Sequence, residues 1–164
     1  MNHYSQKHRR IALLVVAASL LAAPMAPADV VTEWNIKAGE IVVEAKLGAP
    51  PANRVLAIVH TAVYEAANAI TRRYPASGLQ LEAAPGASVE AAVAAANHAT
   101  LAKLVPSQQA AIDTAYAAAL ARIADGPAKT AGTAVGDRAA AAILAVRADD
   151  GATTGETYRP HTTA

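Results

Sequence analysis

Four polar side chains in the stretch V-H-T-A-V-Y-E-A-A-N-A-I, residues 59–70, could do chemistry. His60, Tyr64 and Asn68 lie four residues apart, so in a helix they share one face, and Glu65 lies about 100° away. A histidine on such a face could act as a general base or a metal ligand. The alternative is a polar stripe that hydrogen-bonds to adjacent helices, because buried polar groups must be paired. Without a second ligand-bearing motif, the spacing favours the structural role.

A second histidine offers a metal-binding alternative. Asn97 and His98 lie in another predicted helix, and His98 could in principle approach His60. Two histidines and one carboxylate would suit a divalent metal. Nothing in the spacing of these residues requires such a site, so the metal-binding bundle is the weakest of the three functional hypotheses.

Three further groups of polar residues give little indication of a functional site. Residues 149–151, D-D-G, lack the alternating oxygen ligands and terminal glutamate of a calcium loop, so they predict a solvated helix end. Arg72 and Arg73 could bind an anion, but two bases also suit the carboxyl end of a helix. His161 lies in the C-terminal tail, where no partner can be named from the sequence.

Composition excludes several classes of protein. The chain has 164 residues, 54% of them hydrophobic, and it has no cysteine. It is therefore one domain at most, without disulfides or a zinc-thiolate site. The formal net charge of +1 gives no strong basic field for a nucleic acid. Phosphate-loop, nucleophile-elbow, zinc-protease and dinucleotide fingerprints are missing from the sequence.

The N-terminal residues 1–28 predict a secretory signal peptide. Basic residues at 7–10 precede the apolar run 11–23, and A-P-A at 26–28 supplies small residues for cleavage after Ala28. The run is shorter than the ~20 residues of a membrane span, so no stable span is expected. An uncleaved membrane anchor is the alternative. Cleavage would make the protein periplasmic or secreted.

The remaining chain predicts an all-α bundle of about five alanine-rich helices over residues 29–151, followed by an extended tail over 152–164. The expected helices are 32–47, 51–73, 88–105, 108–124 and 128–148. Thr32 and Ser88 are expected to cap two of them at the amino end, and Gly151 the last one at the carboxyl end.

The fifth predicted helix carries two glycines one turn apart. Gly132 and Gly136 either allow a close helix contact or are merely tolerated, and the sequence leaves both open. Its inward residues are expected to be Val135, Ala139, Ile143 and Val146.

Three segments resemble a known family. V-V-T-E-W-N at 30–35, P-P-A-N-R-V-L-A-I-V-H-T-A-V-Y-E-A-A-N-A-I-T-R-R-Y at 50–74 and D-G-P-A-K-T-A-G-T-A-V-G-D-R-A-A-A-A-I-L-A-V-R-A-D-D-G at 125–151 look like the N-terminal part of bacterial vanadium-dependent haloperoxidase-like proteins. The resemblance implies the all-helical fold of the type 2 phosphatidic acid phosphatase superfamily. The most specific block is H-x-A-x-Y-E-A-x-N-A-I at 60–70, where the family commonly has Asp in place of Glu65.

The family's anion site does not map onto this chain. In the family, a Lys and an Arg-Pro, a Ser-Gly-His segment and a later Arg and His hold vanadate or phosphate. This sequence contains no Ser-Gly-His, and Arg159 and Pro160 lack the upstream lysine at family spacing. We therefore expect no catalytic, cofactor-binding or metal residue here, and vanadate only in the complete family architecture.

Two main functional hypotheses follow. The first is the N-terminal helical scaffold of a haloperoxidase-like or phosphatase-like protein, whose partner is a missing catalytic C-terminal region of the same protein. The second is a stand-alone periplasmic helical module that binds a partner or forms a homo-oligomer. Peroxidase and phosphatase activities cannot be separated on these residues.

Overall fold

The described part of the chain contains helices joined by turns and irregular segments, and no strand. The computed structural model describes residues 29–75, 77–79, 81–82 and 84–155. Its helices are α1 (Val30–Glu44), α2 (Ala49–Thr71), α3 (Val89–Leu104), α4 (Gln109–Ala121) and α5 (Pro127–Val146), with a 3₁₀ turn at Pro106–Gln108 before α4. The predicted all-α bundle of about five helices is confirmed. The predicted signal peptide and residues 156–164 of the tail lie outside the described residues.

Helix α3 is the centre of the bundle. It packs against each of the other four helices, and most extensively against α5. Its fully buried residues are Ala91, Ala92, Val93, Ala94, Ala95, Ala96, Asn97, Thr100 and Leu101. A helix that is apolar nearly all round belongs in the interior. The central position in the bundle belongs to α3 and not to α2, the helix that carries the polar stripe.

Glycines bring α5 against the backbone of α3. A Cβ at Gly136 would lie 2.7 Å from the Cβ of Ala95 and 2.8 Å from the amide nitrogen of Ala96, and would clash with the carbonyl oxygen of Ala92. A Cβ at Gly132 would likewise lie 2.9 Å from the Cβ of Ala91. The two glycines are therefore required for a close helix contact.

The amino ends of two helices are capped by side chains. Asp29 Oδ1 accepts a hydrogen bond from the Thr32 amide at 2.9 Å, so the expected cap at Thr32 is wrong and α1 begins earlier. Asp29 satisfies an otherwise free amide of the first turn. Ser88 caps α3 as expected, since its hydroxyl accepts from the Ala91 amide at 3.1 Å.

The carboxyl end of α5 differs from the prediction. Helix α5 ends at Val146, with Arg147 as the cap, so Gly151 does not cap it. Gly151 instead lies in a turn, in which the Thr154 amide donates to the Gly151 carbonyl at 3.0 Å. Val146, the last residue of α5, is 62% exposed rather than inward, whereas the other three predicted inward residues are buried. Among the described residues, no helix has the length and apolar character needed to cross a bilayer.

Candidate functional site

The polar residues at the end of α2 bind the segment that follows their own helix. The Asn68 side chain donates to the Tyr74 carbonyl at 2.8 Å and accepts from the Tyr74 amide at 2.9 Å. The Tyr64 hydroxyl donates to the Pro75 carbonyl at 2.7 Å. Glu65 Oε1 accepts from the amide and the hydroxyl of Ser77. We call these three side chains, Tyr64, Glu65 and Asn68, the loop latch.

The latch supplies hydrogen-bond partners to backbone groups just beyond the end of α2, where the chain leaves the helix. Arg72 ends α2 in a left-handed conformation with φ of 50°, and the backbone then leaves the helix. Backbone groups beyond this point have lost their helical partners, and the side chains of the preceding turns supply replacements. Glu65 is 3% exposed and Asn68 is 7% exposed, so both bonds are shielded from water.

The structure divides the residues that the sequence grouped together. Tyr64 and Asn68 act together, but on the following loop and not on adjacent helices, so the expected partner was wrong. His60 lies on the exposed face of α2 and does not share their role. Glu65, which the sequence placed off the stripe, joins the latch. No spacing rule could have paired Glu65 with Ser77, because the connection lies in an irregular loop.

A cavity lies beside the latch. Its volume is about 510 Å³, and it is lined by Glu65, Asn68, Ala69, Arg72, Leu79, Leu81 and Glu82. Its innermost polar groups, Glu65 and Asn68, already bind the loop backbone. Two carboxylates and one guanidinium line this cavity, which is an unfavourable setting for a compact multivalent anion.

A second polar cluster joins α3 to α4. His98 Nε2 lies 2.8 Å from Asp113 Oδ1, and the imidazole stacks on the ring of Tyr116 with centroids 4.2 Å apart. Gln109 also donates to Asp113 Oδ1 at 2.7 Å. These hydrogen bonds, first the one from His98, lower the pKa of Asp113 below its usual value. We call His98, Asp113 and Tyr116 the α3–α4 cluster.

Asp137 on α5 lies at the edge of this cluster. Its partial burial raises the pKa of Asp137, while the charge of His98 opposes that change. Partial burial also raises the pKa of Tyr116, and the Asp137 charge adds to the effect. The cluster therefore brings together titratable groups from three helices. Among the residues described, no group of three or more His, Cys, Asp or Glu side chains could hold a metal ion. His98 pairs with Asp113 rather than with His60.

The predicted solvated end at 149–151 contains a specific ion pair. The Arg54 guanidinium donates to both carboxylate oxygens of Asp150, at 2.9 and 3.1 Å, and to the Arg147 carbonyl at 3.1 Å. The pairing with Arg54 lowers the pKa of Asp150. This contact fastens the start of α2 to the end of α5, over 96 residues of sequence. Sequence spacing gives no signal for such a distant pair.

A smaller cleft separates α1 from α4. It has a volume of about 270 Å³ and is lined by Glu33, Trp34, Lys37, Ala115, Ala118, Ala119 and Arg122. Arg122 and Glu33, two of its lining residues, form an ion pair with each other. Trp34, the sole tryptophan of the chain, also lines this cleft and is 4% exposed.

Comparison with known proteins gives no relative: no family model, no curated protein and no solved structure matches the chain. The resemblance to haloperoxidase-like proteins therefore stays a prediction that rests on the quoted segments.

Proposed function

We propose that this chain is the N-terminal helical scaffold of a vanadium-dependent haloperoxidase-like protein, and that other parts of that protein supply the anion site. The loop latch carries this proposal. Tyr64, Glu65 and Asn68 belong to the block with the most specific resemblance, and each of them makes hydrogen bonds to backbone groups or to Ser77. Buried polar side chains with such partners position a loop, and this role supports a scaffold.

The distribution of cations supports the scaffold role. Binding vanadate needs several cations and donors that converge on one point. Arg54 pairs with Asp150 and Arg122 with Glu33, at different places on the bundle. Arg72 lines the large cavity beside two carboxylates, which would repel an oxyanion.

The start of α1 supports export. Cleavage after Ala28 would leave Asp29 as the first residue, and Asp29 is the side chain that caps α1. The mature protein would thus begin with a complete helix cap. N-terminal sequencing of the protein from the periplasm or medium should begin at Asp29, and a protein that retains Met1 would contradict processing.

The intact mass of the protein in its source cell tests the scaffold proposal. An antibody against residues 59–70 would isolate the native protein for mass spectrometry. We expect a mass far above 16.6 kDa. The same fraction should have either a peroxidase activity that depends on vanadate or a phosphatase activity. A native protein slightly below 16.6 kDa, without either activity, would contradict the proposal.

A stand-alone module that self-associates is the second candidate, and the outer face of α1 favours it. Ile36 is 58% exposed and Val43 is 75% exposed, and these residues lie seven apart, on one face. Exposed apolar side chains on one face can form a contact between copies. Sedimentation of the mature chain should then show a dimer that Val43→Lys converts to a monomer.

A further inference from the structure

Helix α4 is the least embedded helix of the bundle. Only Ile112 and Ala119 among its thirteen residues are fully buried. It contacts α3 and α1, and has no extensive contact with α2 or α5. Two polar fastenings supplement this small apolar contact: Arg122 binds Glu33 on α1, and Asp113 binds His98 on α3.

The two fastenings differ in how they respond to pH. A guanidinium stays protonated at every physiological pH, so its charge is constant. An imidazole ordinarily changes charge between pH 5 and 8, so the attraction between His98 and a carboxylate varies in that range. A neutral imidazole can still hydrogen-bond, but the charge-assisted bond is stronger.

Two acidic groups and one aromatic ring lie around the imidazole of His98. Asp113 Oδ1 on α4 lies 2.8 Å from His98 Nε2, and Asp137 on α5 lies close enough for the His98 charge to lower its pKa. The face of Tyr116, 4.2 Å away, attracts a cation as well. On α3 itself, positions 94, 95, 101 and 102 are Ala, Ala, Leu and Ala, so no charge lies one turn away.

We propose that His98 is a proton-dependent fastening of α4, which holds this helix more firmly on α3 when the imidazole is protonated than when it is neutral. Detachment of α4 opens the cleft above Trp34, since α4 forms one wall of that cleft. The fastening thus links pH to exposure of an apolar surface. It is independent of the proposed scaffold role.

Hydrogen exchange of the full chain tests this fastening. Backbone exchange is measured at pH 5.5 and pH 8.0 and corrected for the intrinsic rate at each pH. Because the His98–Asp113 pair is partly exposed, we expect protection of α4 amides to fall roughly two- to fivefold at the higher pH. Protection of α5 amides should not change, since α5 is held by the glycine contact.

Matched variants assign the effect to His98. His98→Gln should remove the pH dependence in α4 and keep a hydrogen-bond donor towards Asp113. Arg122→Gln cuts the other fastening, so it should lower α4 protection at both pH values and retain the pH dependence. Asp113→Asn changes a surface side chain and should reduce the dependence even if His98→Gln fails to fold.

Acrylamide quenching of Trp34 gives a second readout. Quenching should be greater at pH 8.0 than at pH 5.5, and equal at both in His98→Gln. Equal α4 protection at both pH values in the wild type would overturn the proposal. So would a pH dependence of undiminished size in both His98→Gln and Asp113→Asn.

Discussion

The loop latch and the α3–α4 cluster use polar side chains in opposite ways. In the latch, Asn68 and Tyr64 bind backbone groups six and eleven residues further along the chain. In the cluster, His98 binds the titratable side chain of Asp113 on a different helix. The Asn68 amide has no titratable group, whereas His98 and Asp113 are both titratable, and so is Glu65 in the latch. The Asn68 bonds therefore do not depend on pH, and the bond between His98 and Asp113 does.

The contact between α3 and α5 is apolar, so it can be compared with both polar regions. Its disruption should have the largest effect on the free energy of unfolding. Gly136→Ala places a methyl group against the backbone of α3, which cannot move aside, so we expect a loss of about 3 kcal/mol in unfolding free energy. Urea denaturation measures it.

Gly39→Ala is the matched control for that substitution. Gly39 is also helical, but a Cβ there would meet nothing within 4 Å. Alanine should therefore stabilise α1 by about 0.5–1 kcal/mol. If both substitutions stabilise the protein, the close approach of α3 and α5 does not exist.

Removing the centre of the latch should have the next largest effect. Asn68→Ala leaves the amide and carbonyl of Tyr74 without their partner, so we expect a loss of about 2 kcal/mol in unfolding free energy. Asn53→Ala, on an exposed position of the same helix, should change stability by less than about 0.5 kcal/mol. Equal effects of the two substitutions would show that the hydrogen bonds of Asn68 do not stabilise the fold.

A smaller change should follow from the outer latch bond. Tyr64→Phe removes the hydroxyl that donates to Pro75 and keeps the ring beside Tyr74, so we expect a loss of about 0.5–1 kcal/mol. Because both side chains hold one segment, the double variant with Asn68→Ala should lose less than the sum of the single losses. Strict additivity in urea denaturation would mean that the two bonds act separately.

The smallest effect should come from the α3–α4 cluster in acid. Hydrogen bonds lower the folded-state pKa of Asp113, so its contribution to stability is present above the ordinary carboxyl pKa and is lost as pH falls through the lowered value. Wild type should unfold at a higher temperature than Asp113→Asn near pH 6. This difference should disappear at strongly acidic pH, and a difference that persists there would contradict the pairing.

The sequence predicts helices better than it predicts their partners. Alanine content, Ser88 and the prolines locate the helices, because these signals act within one turn. The pairings of Arg54 with Asp150 and of His98 with Asp113 depend on tertiary packing, so no local signal contains them. The glycine pair shows the limit of local signals. The spacing of Gly132 and Gly136 allowed a close helix contact, but only the position of α3 in the fold shows that the contact exists.

The candidate site was partly predictable for the same reason. Helical spacing correctly placed Tyr64 and Asn68 on one side of α2, and the need to pair buried polar groups indicated a structural role. The spacing could not indicate which partner Tyr64 and Asn68 bind, because the irregular segment around residues 74–77 has no periodic pattern. Asp29, a better cap than Thr32, was missed because it adjoins the predicted cleavage point.

A vanadate titration of the purified chain, followed by vanadium NMR, tests the central claim that these helices are scaffold without an anion site of their own. The account predicts that the signal of free vanadate keeps its position, width and intensity as protein is added at millimolar vanadate. Saturable binding of one vanadate per chain would contradict it, and would place an anion site within this helical bundle.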